Sequence, residues 1–260
     1  TLVNGSAGTF VNQTYFYIYF DNTTFAENRS FNPTFINSSG EAYVIHQNNL
    51  TNYANYSWIP TFQGPIATNN FTDGKYGLGI STAGGGSSGR RYAFPLSGEG
   101  GPSNSDLFQT DTTMSAWVRM NGTHAAWSAF WDFSGSAQQH FWGGFSSGTD
   151  RPTFTTCGGS ATAGTEHTIN NDGTWYLFTI VYTDADNTVK MYINTNLTAT
   201  STGATGCDTG DDTRRYVGSE NDLARTTNAI IDDFEIWGYA WSYDEIKLKY
   251  NSSTSIGPVE

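Results

Sequence analysis

Apolar and polar residues alternate along much of the chain, in short runs separated by Gly, Asn, Asp and Ser. Every second residue from Met114 to Met120 is apolar, and Thr188–Ile193 repeats this pattern. A period of two is typical of β-strands that are buried on one face. Thr174–Tyr182 is apolar at nearly every position, which predicts a central strand buried on both faces.

Similar runs occur from the N-terminal region onward, and together they predict an all-β protein. The predicted strands are Thr14–Asp21, Tyr76–Ile80, Arg91–Phe94, Thr113–Met120, Trp127–Phe133, His140–Phe145, Thr153–Cys157, Thr174–Tyr182, Thr188–Ile193, Arg215–Val217 and Ile230–Trp237. Only Ser242–Tyr250 shows helical periodicity, and it begins with the capping-box pair Ser242 and Glu245. We predict one domain over residues 1–250, which includes a long Asn-rich loop region at 22–74, followed by a polar tail at 251–260.

Composition narrows the class of protein. Aromatic residues make up 15% of the 260 positions, which argues against a disordered polar chain. The 24 acidic residues outnumber the 12 basic ones, for a net charge of −12. This balance argues against nucleic acid and anionic membranes as partners. No apolar run is long enough for a membrane-spanning helix, so membrane insertion is not expected.

Glycosylation sequons are more frequent than this composition explains. Eleven N-x-S/T sequons occur, against roughly five expected by chance. They begin at Asn4, Asn12, Asn22, Asn28, Asn37, Asn49, Asn55, Asn70, Asn121, Asn196 and Asn251. An Asn- and Thr-rich surface generates some sequons by accident, but the excess favours a glycoprotein on the outside of a cell or virion.

The cysteine content fits the same compartment. Cys157 and Cys207 are the two cysteines of the chain. In an extracellular protein one disulfide is the simplest interpretation, and it would stabilise the fold by about 3–4 kcal/mol. The alternative is a pair of buried thiols.

Seven short motifs occur along the chain in a characteristic order: YIYFD at 17–21, GKYG at 74–77, MSAWVR at 114–119, GTWY at 173–176, VKMYIN at 189–194, YVG at 216–218 and IDDFEIWGYA at 231–240. This series resembles laminin-G-like domains of the concanavalin A-like jelly-roll superfamily. The resemblance implies a two-sheet antiparallel jelly-roll sandwich with a short C-terminal helix. It leaves the function open, because this fold carries lectins, adhesion modules, structural repeats and glycan-cleaving enzymes.

The resemblance also implies a structural calcium ion. Carried over to this chain, its ligands would be Asp21, a carbonyl near Gly77, and Asp232. Alternation places Asp232 on the core-facing side of its strand, where a carboxylate needs a cation or hydrogen-bond donors. The alternative is that Asp232 accepts backbone N–H groups at the end of a strand.

Asp233 and Glu235 would then share the opposite face of the strand, about 7 Å apart. Such a pair is compatible with inverting glycoside hydrolysis. A solvated strand face is the favoured interpretation. Glycan-cleaving relatives carry an E-x-D-x-E run that this chain lacks, so we do not expect an enzyme.

Clustered aromatic residues form the candidate ligand site. Sugars stack on indole rings, and carboxylates and imidazoles bind their hydroxyl groups. The candidate residues are Trp127, Trp131, Asp132, His140 and Trp142, with Arg90 and Arg91 as a separate basic spot for an anionic glycan. The alternatives are that the aromatic residues form the sandwich core and that the arginines are ordinary surface charge.

These observations predict an extracellular, non-catalytic module that binds a glycan or a cell-surface protein, with calcium as a structural cofactor. The alternative is a structural subunit of a surface layer, filament or viral spike, whose partners would be copies of itself. A glycan-cleaving enzyme is the least favoured class.

Overall fold

The computed structural model describes the C-terminal two thirds of the chain most fully. The described residues are 41–46, 51–52, 61–63, 71–76, 78–82, 91–96, 111–134, 140–146, 149–156, 159–162, 167–204, 214–220 and 225–252. The predicted strand Thr14–Asp21 and both cysteines lie outside them.

Two antiparallel sheets make up the described part of the structure, as the sequence predicts. The strands are β1 (Glu41–His46), β2 (Thr51–Asn52), β3 (Thr61–Gln63), β4 (Phe71–Asp73), β5 (Leu78–Ser81), β6 (Arg91–Ala93), β7 (Thr112–Met120), β8 (Ser128–Ser134), β9 (His140–Phe145), β10 (Thr153–Thr156), β11 (Gly159–Thr162), β12 (Tyr176–Thr183), β13 (Thr188–Ile193), β14 (Asn196–Thr202), β15 (Arg214–Val217) and β16 (Ala229–Trp237). The one helix of the described residues, α1, spans Tyr243–Ser252.

The two sheets differ in size and in strand order. Within the described residues, the nine-stranded sheet has the order β14-β13-β12-β7-β16-β1-β2, with β5 paired to β16 and β4 paired to β5. The seven-stranded sheet has the order β11-β10-β9-β8-β15-β6-β3. Strands β1–β4 lie within residues 22–74, for which the sequence predicted a loop. The prediction was wrong for the residues of these short strands. Backbone pairing joins β1 to β16, β3 to β6 and β4 to β5, and this pairing leaves no signal in the local sequence.

The core lies between the two sheets and follows the alternation seen in the sequence. Met114, Ala116 and Val118 of β7 are buried in it, as are the alternate apolar residues of β13. Strand β12 is buried on both faces, as predicted, because Phe178 and Ile180 face the core while Val181 packs under α1.

Strand β16 departs from simple alternation at Asp233. Asp232 lies opposite Trp117 of β7, whereas Glu235 lies opposite Ser115, so β16 contains one extra residue. Asp233 occupies this β-bulge with a φ of 54°. A bulge exchanges the faces of all residues beyond it.

Because of the bulge, Asp232 has a different orientation from the one expected from the sequence. Ile231, Phe234 and Ile236 enter the core, and Asp232 lies on the outer face of the nine-stranded sheet beside Trp117. The prediction that Asp232 faces the core was wrong because it extended a period of two across the bulge.

Helix α1 covers this outer face. Its capping box forms as predicted, since Ser242 N–H donates to Glu245 Oε2 at 2.7 Å and Glu245 N–H donates to Ser242 Oγ at 3.3 Å. Ile246 of the helix belongs to a second apolar cluster on the sheet, with Val181, Tyr192, Trp237 and Trp241. In the described part of the chain, no helix is long and apolar enough to cross a membrane.

Gly143 of β9 sits where the two sheets approach closely. A Cβ atom at this position would lie 2.8 Å from the Phe178 ring and 2.9 Å from the Trp131 ring. Real Cβ atoms do not approach other carbon atoms so closely, so the packing of these rings requires a glycine.

We expect Gly143→Ala to lower the free energy of unfolding by about 1–3 kcal/mol, the usual cost of overpacking a core. Urea denaturation followed by tryptophan fluorescence measures this change. The control is Leu197→Ala at an exposed position of β14, with an expected change within about 0.5 kcal/mol. Equal stability of the two variants would contradict the proposed contact.

Candidate functional site

The outer face of the seven-stranded sheet collects most of the predicted ligand residues. Phe133 of β8 and Phe141 of β9 face the core, so their neighbours Asp132 and Trp142 point outward. Tyr216 of β15 pairs with Asp132 on its other side. The resulting row, Trp142–Asp132–Tyr216, crosses three adjacent strands, and we call this side of the sheet, together with the exposed Trp127, the aromatic face.

Trp127 stands at one end of the aromatic face. It ends the connection between β7 and β8, and its side chain is 51% exposed. Its ring centroid lies 6.4 Å from that of Trp142, with an angle of 54° between the rings. Trp142 is only 4% exposed, so the pair combines an open indole with a buried one.

The backbone of Trp127 is in the left-handed region, with a φ of 62°. This conformation costs a bulky residue roughly 1–2 kcal/mol, so the surrounding structure must stabilise it. An exposed indole on a strained backbone gains little for folding. Trp127 is therefore the candidate residue for a contact outside the chain.

His124 anchors the connection that presents Trp127. Its ring stacks on Phe145 with 3.8 Å between the centroids. Its Nδ1 lies 3.1 Å from the Ala125 carbonyl oxygen, and its Nε2 lies 3.3 Å from Asp150 Oδ1. His124 was not predicted from the sequence, because a ring stacked on a distant strand leaves no local sequence signal.

Trp131 and Asp132 take other roles than the predicted ones. Trp131 is fully buried in the core, 5.1 Å from the Phe178 ring and 5.6 Å from the Phe234 ring. The prediction that Trp131 contacts a ligand was wrong, and the alternative, that it belongs to the sandwich core, is confirmed. Asp132 is also buried and accepts a hydrogen bond of 2.7 Å from Ser134 Oγ, so it lies beneath the surface.

Arg91 lies at the other end of the aromatic face. Its guanidinium group is 3.6 Å from the centroid of the Tyr216 ring, and its Nη1 donates to the Glu220 carbonyl oxygen at 3.0 Å. Arg91 is therefore a buried cation that packs on an aromatic ring, which corrects the prediction of a surface charge for anionic glycans. Arg90 and the side chain of His140 lie outside the described residues.

Three of the predicted glycosylation sites fall within the described residues. Asn121, Asn196 and Asn251 are all exposed, as an acceptor of a glycan must be. The other eight sequons lie outside the described residues, and glycosylation stays a prediction.

Asp232 is the described member of the predicted calcium site. Its Oδ1 accepts the Asp233 N–H and its Oδ2 accepts the Tyr76 N–H, each at 2.8 Å. Both oxygens thus face backbone donors, as in the alternative that the sequence analysis left open. Asp21 and Gly77 lie outside the described residues, and those described hold no cluster of three His, Cys, Asp or Glu side chains suited to a metal. Calcium stays a prediction.

Burial raises the pKa of the Asp232 carboxyl from its ordinary 3.8 to about 7, and the neighbouring charge of Asp233 acts in the same direction. The backbone N–H groups of Tyr76, Asp233 and Lys75 partly offset this by stabilising the carboxylate. The folded chain therefore holds a proton on Asp232 more tightly than the unfolded chain does.

Asp233 and Glu235 are buried rather than solvated, which overturns the interpretation favoured from the sequence. Helix α1 brings Lys249 over them. Its Nζ lies 2.7 Å from Asp233 Oδ2 and 2.6 Å from Glu235 Oε1. The two carboxylates are held in ion pairs with this cation beneath the helix.

Comparison with known proteins identifies the family. A laminin-G-like family model, described as the concanavalin A-like lectin/glucanases superfamily, matches residues 101–247. No curated protein matches the chain in sequence.

Solved structures share the fold at low sequence identity. Domain 4 of AbnA, a GH43 extracellular arabinanase from Geobacillus stearothermophilus, was solved in complex with arabinotriose; it is 17% identical over 80% of this chain and 98% of its own, with a TM-score of 0.60. The binding domain of botulinum neurotoxin DC, in complex with rat synaptotagmin II, is 14% identical over 82% of this chain and 51% of its own, with a TM-score of 0.60.

A third structure, from work on botulinum neurotoxin type C and its interaction with two ganglioside molecules in cell entry, is 14% identical over 83% of this chain, with a TM-score of 0.58. The chain spans about half of the length of both toxin domains.

The raised pKa of Asp232 predicts a dependence of stability on pH. Folding favours the protonated carboxyl of Asp232. The stabilisation of the folded state by this proton is therefore complete below about pH 4 and is lost as the pH rises through about 7. In EDTA, the free energy of unfolding should fall less over this range for Asp232→Asn, which carries no titrating group, than for the parent chain.

The matched control is Asp172→Asn. Asp172 is exposed, and the backbone N–H of Thr174 lowers its pKa, so this change should leave the slope above pH 4 intact. If Ca²⁺ restores stability at high pH in the parent chain but not in Asp232→Asn, the carboxylate binds calcium and the assignment to backbone donors alone is contradicted.

Proposed function

The chain belongs to the laminin-G-like family of the concanavalin A-like lectin/glucanases superfamily, and we propose that it is a non-catalytic extracellular module that binds neutral glycans at the aromatic face. The observation that carries the proposal is Trp127, an exposed indole held in a strained backbone conformation beside Trp142. The fold itself does not specify a function, so the argument depends on this site.

An exposed indole matches the chemistry of sugar rings. The C–H groups on one face of a sugar form an apolar surface that packs against an aromatic ring. Trp127 offers such a ring, and Trp142 supports it from below. Trp142 also has a buried indole N–H without a hydrogen-bond partner in the described residues, and a sugar hydroxyl beside Trp127 could accept from it after a small shift.

Neutral sugars fit the charge of this surface better than anionic ones. Arg91 already packs on Tyr216 and donates to a backbone carbonyl, so its charge is engaged. Asp132 lies beneath the surface, and the whole chain has a net charge of −12. An acidic glycan would meet repulsion over most of its approach.

The relatives supply independent support for a binding role. The arabinanase domain was solved with arabinotriose, a neutral oligosaccharide, and the two toxin structures concern binding to synaptotagmin II and to gangliosides. We also propose that the module is glycosylated, and the exposure of Asn121, Asn196 and Asn251 supports this.

A glycan array probed with the parent chain and with Trp127→Ala tests the proposal. Loss of the stacked ring should weaken binding at least about tenfold, which corresponds to about 1.4 kcal/mol. Tyr243→Ala is the matched control, because Tyr243 is an aromatic residue on helix α1 whose exposure, 53%, is close to the 51% of Trp127. Trp142→Phe keeps a ring and removes the N–H, and should have a smaller effect than Trp127→Ala.

Two results would contradict the proposal. If the parent chain binds no glycan on the array and assembles with increasing concentration in electron microscopy, the structural-subunit alternative is supported. Release of reducing sugar from a polysaccharide would assign a catalytic role instead.

A further inference from the structure

Lys249, Asp233 and Glu235 form a compact cluster that the proposed function does not use. The Lys249 Nζ lies 2.7 Å from Asp233 Oδ2 and 2.6 Å from Glu235 Oε1. The three side chains are 10%, 2% and 6% exposed, respectively. An amine is thus in direct contact with two carboxyl groups in a site that is nearly closed to water.

The surroundings of the cluster fix each of its members. The bulge at Asp233, with its left-handed φ of 54°, directs this short side chain toward the helix. Trp237 Nε1 donates to Glu235 Oε2 at 3.1 Å. Lys249 lies on the same side of α1 as Ile246, which is fully buried against the sheet. A strained residue at such a position is a common mark of a functional site.

We propose that the side chains of Lys249 and Asp233 condense to an amide that joins helix α1 covalently to strand β16, with Glu235 transferring the protons. In this reaction Glu235 accepts a proton from the Lys249 ammonium, and the freed amine attacks Cγ of Asp233. A C–N bond forms and one C–O bond of the carboxyl breaks. The protons from the amine leave with that oxygen as water, and Glu235 returns to its carboxylate form.

The reaction balances without a co-reactant. One ammonium and one carboxylate give one neutral amide and one water, so charge, atoms and electrons are conserved. The position of Glu235 suits a proton carrier, because its Oε1 lies 2.6 Å from the Lys249 Nζ while the indole N–H of Trp237 donates to its other carboxyl oxygen.

Burial favours condensation over the ion pair. Removing two charges from water is costly, and a neutral amide avoids that cost. Contact between fixed reactants replaces a bimolecular encounter, which accounts for effective molarities of about 10⁵–10⁸ M in well-oriented reactions. The closed site also hinders the return of water to the bond.

Mass spectrometry of the chain made in a bacterial host tests the proposal. After reduction, the intact protein should be lighter than its sequence mass by one water molecule. Trypsin cleaves after Arg225 and Lys247 but not after an acylated lysine. The digest should therefore contain a branched peptide in which Thr226–Lys247 is joined to the peptide that begins at Leu248.

Three variants locate the bond and the proton carrier. Lys249→Arg cannot form the amide, and Glu235→Gln should remain at the full sequence mass while it keeps its β-sheet circular dichroism spectrum. Lys247→Arg is the matched control, because Lys247 is exposed on the same helix and should leave the cross-link unchanged. We also expect the cross-linked chain to have a higher melting temperature than Glu235→Gln.

The proposal is overturned if the folded parent chain keeps its full mass after purification and after prolonged incubation. It is equally overturned if the loss of water persists in Lys249→Arg, because the dehydration then lies elsewhere. Fragment ions that join Lys249 to Glu235 instead of Asp233 would contradict the assigned roles. If Glu235→Gln does not fold, the mass of the parent chain and its branched peptide still decide the proposal.

Discussion

Strand β16 is buried on both faces along its whole length, and the bulge at Asp233 decides which side chains each face receives. On the inner side this places Phe234 among the aromatic rings that join the two sheets. On the outer side it turns Asp233 and Glu235 toward helix α1, where Lys249 meets them. A strand with strict alternation would bury an acidic residue in the apolar core, at a cost of several kcal/mol. The sandwich, the position of the helix and the ion-pair cluster therefore all depend on this one extra residue.

The two outer faces of the sandwich differ in what covers them. The nine-stranded sheet is covered by α1, whose Ile246 packs with Trp237 and Trp241. The seven-stranded sheet carries the aromatic face, where Trp127 remains exposed. Asp132 and Trp142 on that side are buried, so Trp127 is the described ring of the aromatic face that a ligand would reach most easily. The proposed cross-link would strengthen the first face, and the proposed glycan site uses the second, so neither proposal depends on the other.

Alternation in the sequence was enough to predict the strands whose register is regular. It gave the inward residues of β7 and β13 and the double burial of β12, and the capping box located α1. It failed at irregular points, because a bulge reverses faces without changing residue types. Trp131 and Trp142 illustrate the limit: both are tryptophans on neighbouring strands, yet one lies in the core and the other faces outward. The ion pairs of Lys249 could not be predicted either, since they depend on how the helix docks.

The left-handed backbone at Trp127 would affect the speed of the proposed recognition. Flexible loops lose conformational entropy when a ligand orders them, and association slows when they must first rearrange. Here the stacking of His124 on Phe145 ties the connection to β9, and an indole held in this way would need little rearrangement before an encounter. A ligand that stacks on Trp127 would therefore bind at a rate set by diffusion and orientation, and differences in affinity among ligands would appear mainly in how long each one stays.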